Sequence, residues 1–107
     1  MLCKHHFAMK IKQQLQRAII KTYRIPENAF NQMDFSGRGY ILQEDFLNKY
    51  MLLRANIKLE DALLCLKMTN MFINKEVNNF YVPPNGMTFD SFKKNFFPHL
   101  CMVAEDD

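Results

Sequence analysis

The chain has 107 residues, 49% of them hydrophobic and 23% charged, which suits one globular domain and excludes an intrinsically disordered polymer. Its net charge of +3 is unevenly spread: residues 1–24 carry six Lys/Arg and no Asp or Glu, and the chain ends in Glu105-Asp106-Asp107. Three widely spaced cysteines, Cys3, Cys65 and Cys101, form no CxxC pair and are odd in number, which argues against a disulfide framework or a zinc site and points to a reducing, intracellular, cytoplasmic setting.

The first element is a basic amphipathic helix over residues 5–23. Phe7, Ile11, Leu15, Ala18 and Thr22 recur at steps of three or four, with Ile19 and Tyr23 alongside. Lys10, Lys12, Arg17 and Lys21, diluted by glutamines, make the segment basic. Such a basic run hints at an acidic partner. Pro26 ends the helix, because Ile25 before it is pushed out of helical geometry, and Pro26 itself suits the first position of a second helix over residues 27–33. Gly37 and Gly39 then break the chain, Tyr40-Ile41-Leu42 is a short extended piece, and residues 43–54 return to helical period with Phe46, Leu47, Tyr50, Met51 and Leu53 apolar.

After a turn at Ala55-Asn56, a fourth helix is expected over residues 58–72. The stretch NKEVNNFYVPPNG, residues 74–86, opposes regular structure with three Asn, two Pro and one Gly. Its Phe80, Tyr81 and Val82 are apolar for a loop, so they either tuck onto the core or face a partner. Met87-Thr88-Phe89 is a second extended piece, residues 90–97 a last helix starting at Asp90 or Ser91, and Pro98 closes it. No signal peptide and no apolar run of membrane-spanning length is legible. There is no nucleophile motif or Gly-rich phosphate loop, so a non-catalytic protein is expected.

The order contains a twofold pattern: helix–loop–strand–helix, twice. GYILQEDFL and GMTFDSFKK each hold a Gly, an extended triplet, a polar helix start and a Phe. Over roughly residues 26–98 this resembles the EF-hand superfamily, whose twelve-residue loop supplies oxygens from positions 1, 3, 5, 7 and 12 with Gly at position 6. Gly39 at position 6 and Ile41 at the aliphatic position 8 set the register, making the loop residues 34–45. The resemblance implies an all-α fold. It consists of an EF-hand-like pair (first hand about 26–54, second about 58–98) with short two-stranded pairing between the loops, preceded by an extra helix in residues 1–25 and followed by a tail, 99–107.

The same register implies a poor ion site. Asp34 stands at position 1, Ser36 at 3, Tyr40 (backbone carbonyl) at 7 and Asp45 at 12, but Arg38 at position 5 carries a cation and no acceptor. Asp45 is also one methylene shorter than the Glu that would chelate with both oxygens. At most a weak Ca2+ or Mg2+ contact through Asp34, Ser36, Tyr40 and Asp45 is expected, with Arg38 free to pair with Asp34 or Asp45 instead. If Met87 matches Ile41, the second loop has Ser91 at position 12, too few acids and too many residues, and no cofactor is expected there.

The resemblance implies an interaction protein. A cup of four helices takes an amphipathic partner helix into an apolar groove, for which Met51, Leu63, Leu66, Met68, Met71 and Phe89 are candidates. Ten Phe and eight Met favour such a groove over a core alone. The expectation is a largely calcium-independent adaptor or structural subunit of a larger assembly, by family analogy cytoskeletal or axonemal, with no membrane or nucleic-acid partner. The alternative is a calcium sensor acting through residues 34–45. The basic helix could fold back into its own groove, dock on a neighbour, or lie on an acidic surface.

Overall fold

A computed structural model of the chain describes residues 3–35, 37–72 and 82–100. It is mostly helical, with one two-stranded antiparallel sheet. In chain order the elements are α1 (Lys4–Tyr23), α2 (Pro26–Met33), β1 (Tyr40–Leu42), α3 (Gln43–Asp45), a π-helical stretch (Phe46–Met51), α4 (Leu59–Thr69), β2 (Gly86–Thr88), α5 (Phe89–Phe96) and a single 3-10 turn (Pro98–Leu100). Among the described residues no helix is long and apolar enough to cross a membrane.

α1 buries Ala8, Ile11, Leu15 and Ile19, a stripe at steps of three and four. The stripe is rotated from the one expected: Phe7 and Ala18 are only half-buried, and Thr22 is exposed. Both stripes fit one broad apolar arc; the packed one leaves the Thr22 hydroxyl in water. α1 packs mainly on α4 and also touches α2 and α5. Its Ile11, Leu15 and Ile19 belong to the same core cluster as Phe30, Cys65 and Phe92. The expected boundary at residue 25 therefore divides no core.

The turn between α1 and α2 uses Arg24 at φ 67 and Ile25 in extended geometry, φ −122 and ψ 143. Ile25 is extended because Pro26 follows it. Pro26 is helical position one, as expected of it, and α2 runs from there to Met33.

The helix expected over residues 43–54 is wound differently after its first turn. The Leu52 amide donates to the Leu47 carbonyl at 3.0 Å and the Ala55 amide to the Tyr50 carbonyl at 2.8 Å, each spanning five residues. This π winding turns Phe46, Tyr50 and Met51 inward and throws Leu53 out, 75% exposed, so Leu53 does not share the apolar face that an even helical period assigns it.

α4 runs from Leu59 to Thr69 and stops there, because Asn70 adopts the left-handed conformation, φ 54 and ψ 30, which Asn tolerates as a helix terminator. The helix expected through residue 72 ends three residues early, and Met71 and Phe72 drop into the core. β1 pairs β2 with Ile41 opposite Met87. Thr88, expected in mid-strand, caps α5: its Oγ1 accepts the Ser91 amide at 3.3 Å. Helix α5 consequently starts at Phe89 rather than Asp90 or Ser91.

The aromatic residues build the centre. Among the described residues, which hold nine of the ten Phe, six are buried: Phe30, Phe46, Phe72, Phe92, Phe96 and Phe97. Phe46 stacks on Tyr50 at 5.3 Å between centroids and touches Phe72 and Phe96, while Phe92 meets Phe30, Phe96 and Phe97. Met33, Met51, Met71 and Met87 are buried with them. The abundance of Phe and Met is thus spent largely on the core. It gives no independent argument for an open groove.

Candidate functional site

The 34–45 loop is shaped by one carboxylate and two glycines. α2 ends where the Asp34 amide donates to the Phe30 carbonyl at 2.8 Å. Asp34 then gathers the chain back: its Oδ2 accepts the Gly39 amide at 2.8 Å, its Oδ1 the Arg38 amide at 3.3 Å, and its carbonyl the Gly37 amide at 3.0 Å. Gly37 and Gly39 lie at φ 67 and 92 with open space where a Cβ would stand. Backbone conformation, not crowding, is what requires glycine there.

Arg38 in the loop and Lys49 just beyond it bring cations to its side chains. The Arg38 guanidinium interacts with the Tyr40 side chain, whose hydrogen bond and charge favour the protonated guanidinium. Asp45 is instead engaged by Lys49, one turn along, with Nζ 3.6 Å from Oδ1. The same Nζ lies 4.7 Å from the centre of the Phe35 ring, a cation–π contact. Partial exposure keeps this ion pair modest, on the order of 0–1 kcal/mol, yet it puts a positive charge beside the carboxylate that an ion would need. The cation recorded beside Asp45 is thus Lys49, while Arg38 meets Asp34 through its backbone amide.

As a metal site the donor set is thin. Asp34 already accepts two amides, Asp45 has Lys49, and Tyr40 is buried on β1. Ser36 lies outside the described residues. Among those residues no group of three or more His, Cys, Asp and Glu comes together, whereas Ca2+ takes six to eight oxygens. In the second loop Ser91 serves helix α5: its carbonyl accepts from the Asn95 side-chain amide at 2.8 Å. Residues 74–81 of the intervening stretch, Phe80 and Tyr81 among them, lie outside the described residues. Val82 is half-buried, and its Cγ1 would stand 2.9 Å from a Cβ placed on Gly86.

The candidate groove is not brought together as one surface. Met51, Leu66 and Met71 are core residues, and Phe89 is half-buried with its ring edge-on to Phe30 at 5.4 Å. Leu63, 47% exposed, does line a cleft of about 300 Å³ with Leu66, Gln43, Lys67 and Asn70. Met68 lies five residues from Leu63, about 140° around the helix, and faces elsewhere. Sequence reasoning missed Leu59, one turn before Leu63 and 54% exposed; the step of four between two leucines was the available signal. It also missed Lys49, for which the same step from Asp45 was the signal.

On α1, Lys10, Arg17 and Lys21 are exposed. Lys12 is not: it is half-buried, and desolvation lowers its pKa. Cys65 is fully buried, its thiol pushed up to about 11 by that burial, which makes it inert rather than nucleophilic. With exposed Lys4, helix α1 thus carries four surface cations and one half-buried one. Compared with known proteins, the chain matches no family model, no curated protein and no solved structure.

Proposed function

We propose that the chain is a non-catalytic, EF-hand-like interaction module that holds its shape without calcium and serves as an adaptor or structural subunit of a larger assembly. The observation that carries this reading is the 34–45 loop. Its turn is closed by hydrogen bonds from the Gly39 and Arg38 amides to Asp34, and its last acid, Asp45, is paired with Lys49. The pairing of Ile41 with Met87 joins the two halves, as the family resemblance expects of paired loops. Internal groups therefore do the work that an ion does in a sensor, and the module has one state rather than two.

α1 lays Ala8, Ile11, Leu15 and Ile19 against α4, with further contacts to α2 and α5. This spacing is that of a helix seated in an apolar groove, so the position open to a partner helix in other pairs is taken here by the chain's own first helix. Partners then meet the outside of the module. A cytoskeletal or axonemal setting rests on family analogy alone.

The test is a calorimetric titration of the full chain with Ca2+ and then Mg2+, with amide NMR spectra before and after. Absence of heat at micromolar ion and unchanged spectra support the reading. Micromolar Ca2+ binding with shifts spread through α4 and α5 would overturn it in favour of a sensor.

A further inference from the structure

We propose that the outward face of α1 is a docking surface for an acidic helical segment of a partner protein. This rests on the reading of the chain as an interaction module and supplies the chemistry of its partner.

Lys10, Arg17 and Lys21, with Gln14 between them, are all exposed. They recur at steps of four, three and four, which places them within an arc of about 60° on a straight row about 16 Å long. The row lies about 135° around the helix from the buried stripe of Ala8, Ile11, Leu15 and Ile19. Core packing therefore fixes its orientation and points it to solvent.

Its charge is not balanced within the helix. Residues 1–24 hold six Lys/Arg and no acid, while residues 25–107 hold eight Lys/Arg against eleven Asp/Glu, a net of −3. Among the described residues the recorded ion pair is Lys49 with Asp45, and none engages Lys10, Arg17 or Lys21. A solvated helix face normally interleaves both signs and gains from pairs four residues apart; this one forgoes them. The basic charge of the molecule is gathered on the one helix whose other face is already committed.

The rest of the face selects among anionic partners. A membrane-surface helix needs an apolar face to insert, and the apolar face of α1 is inside the core. Base stacking on single strands needs aromatic side chains, and Lys10, Gln13, Gln14, Arg17 and Lys21 provide none. The glutamine amides add donors and acceptors between the cations. A helix whose Asp or Glu repeat at steps of seven and four meets this row cation for anion.

The experiment uses the full chain and a fluorescein-labelled Ala-rich peptide of about twenty residues, long enough to hold helix, with Glu at steps of seven and four. Comparison probes are a permuted peptide of equal composition with Glu scattered round the helix, a single-stranded oligonucleotide, and phosphatidylserine vesicles. The matched peptide is expected to bind at least about tenfold more tightly than the permuted one. Binding should weaken with added salt and be lost in the Lys10→Glu/Arg17→Glu/Lys21→Glu variant, whose circular dichroism matches the parent because all three residues are exposed. Amide shifts should map to α1. Equal binding of the two peptides, tighter binding to the oligonucleotide or vesicles, or no binding at all would overturn the inference. Shifts confined to Leu59 and Leu63 would overturn it while leaving the interaction module standing. The calcium titration decides that reading separately.

Discussion

Ile41 and Met87 face each other across the two-stranded ladder, each only 1% exposed. This one pair ties the helix that follows the first loop to the helix that follows the second. Ile41→Val is expected to cost about 0.5–1.5 kcal/mol and Ile41→Ala or Met87→Ala about 2–5 kcal/mol. Urea unfolding checks this. A loss below about 0.5 kcal/mol for Met87→Ala would mean that the ladder does not hold the halves together.

Leu15 is fully buried in the middle of α1. Leu15→Ala should cost about 2–5 kcal/mol, a large fraction of the stability of a domain this size. Removing residues 1–25 should leave a chain with collapsed amide dispersion in its NMR spectrum. If residues 26–107 instead give a well-dispersed spectrum, α1 is an appendage and not part of the core.

The ligand count in the 34–45 loop can be reversed. Ser36→Asp, Arg38→Asp and Asp45→Glu together supply acids at the third, fifth and twelfth positions. Calcium affinity rises with ligand charge and number, so the triple variant should bind Ca2+ in the micromolar range by calorimetry where the parent does not. Adding Lys49→Gln should tighten binding further, because Lys49 lies 3.6 Å from the acid at residue 45. Unchanged affinity on adding it would show that this cation does not compete.

Stability should fall on the alkaline side. Burial pushes the Cys65 thiol from its ordinary 9.0 up to about 11, and burial followed by the charge of nearby Tyr23 pushes Tyr50 from 10.0 up to about 12. Both groups are neutral when protonated, so between pH 9 and 12 the unfolded chain loses these protons first. The native state then holds more protons than the unfolded one, and stability decreases as pH rises. Each contributes on the order of 1–2 kcal/mol after solvent screening is allowed for. Lys12, its pKa lowered mainly by desolvation, works the other way and offsets part of the fall near its own titration. Urea midpoints measured against pH should show the decline, and Tyr50→Phe should remove its upper part. A flat profile to pH 11 would count against both burials.

The periodic parts of this fold were legible in the sequence, and the parts governed by single backbone choices were not. Ile11, Leu15 and Ile19 are spaced as a helix face and pack as one; β1 falls on the expected triplet, and the expected match of Met87 to Ile41 is the observed register. Leu53 was misplaced because π winding leaves no mark on apolar spacing. The end of α4 was missed because Asn70 is in phase with the helix and stops it through a left-handed φ. At the loop, Arg38 is adjacent in sequence to the acid-bearing turn, but the cation that reaches Asp45 is Lys49, set by helical rise rather than by the loop's numbering. The groove residues were chosen as apolar side chains at helical spacing, a rule that cannot separate core from surface; Met51 and Leu63 satisfy it equally.

The packing of α1 on α4 and α5 also shapes how the protein is made. α1 leaves the ribosome with its Ile11, Leu15 and Ile19 uncovered. The helices that cover them begin at Leu59 and Phe89. At roughly 5–20 residues per second, the first helix waits several seconds for the last. During that interval its apolar stripe is open to a chaperone, or to the α4 of a neighbouring nascent chain, so exchange of α1 between two copies is the misassembly this topology invites.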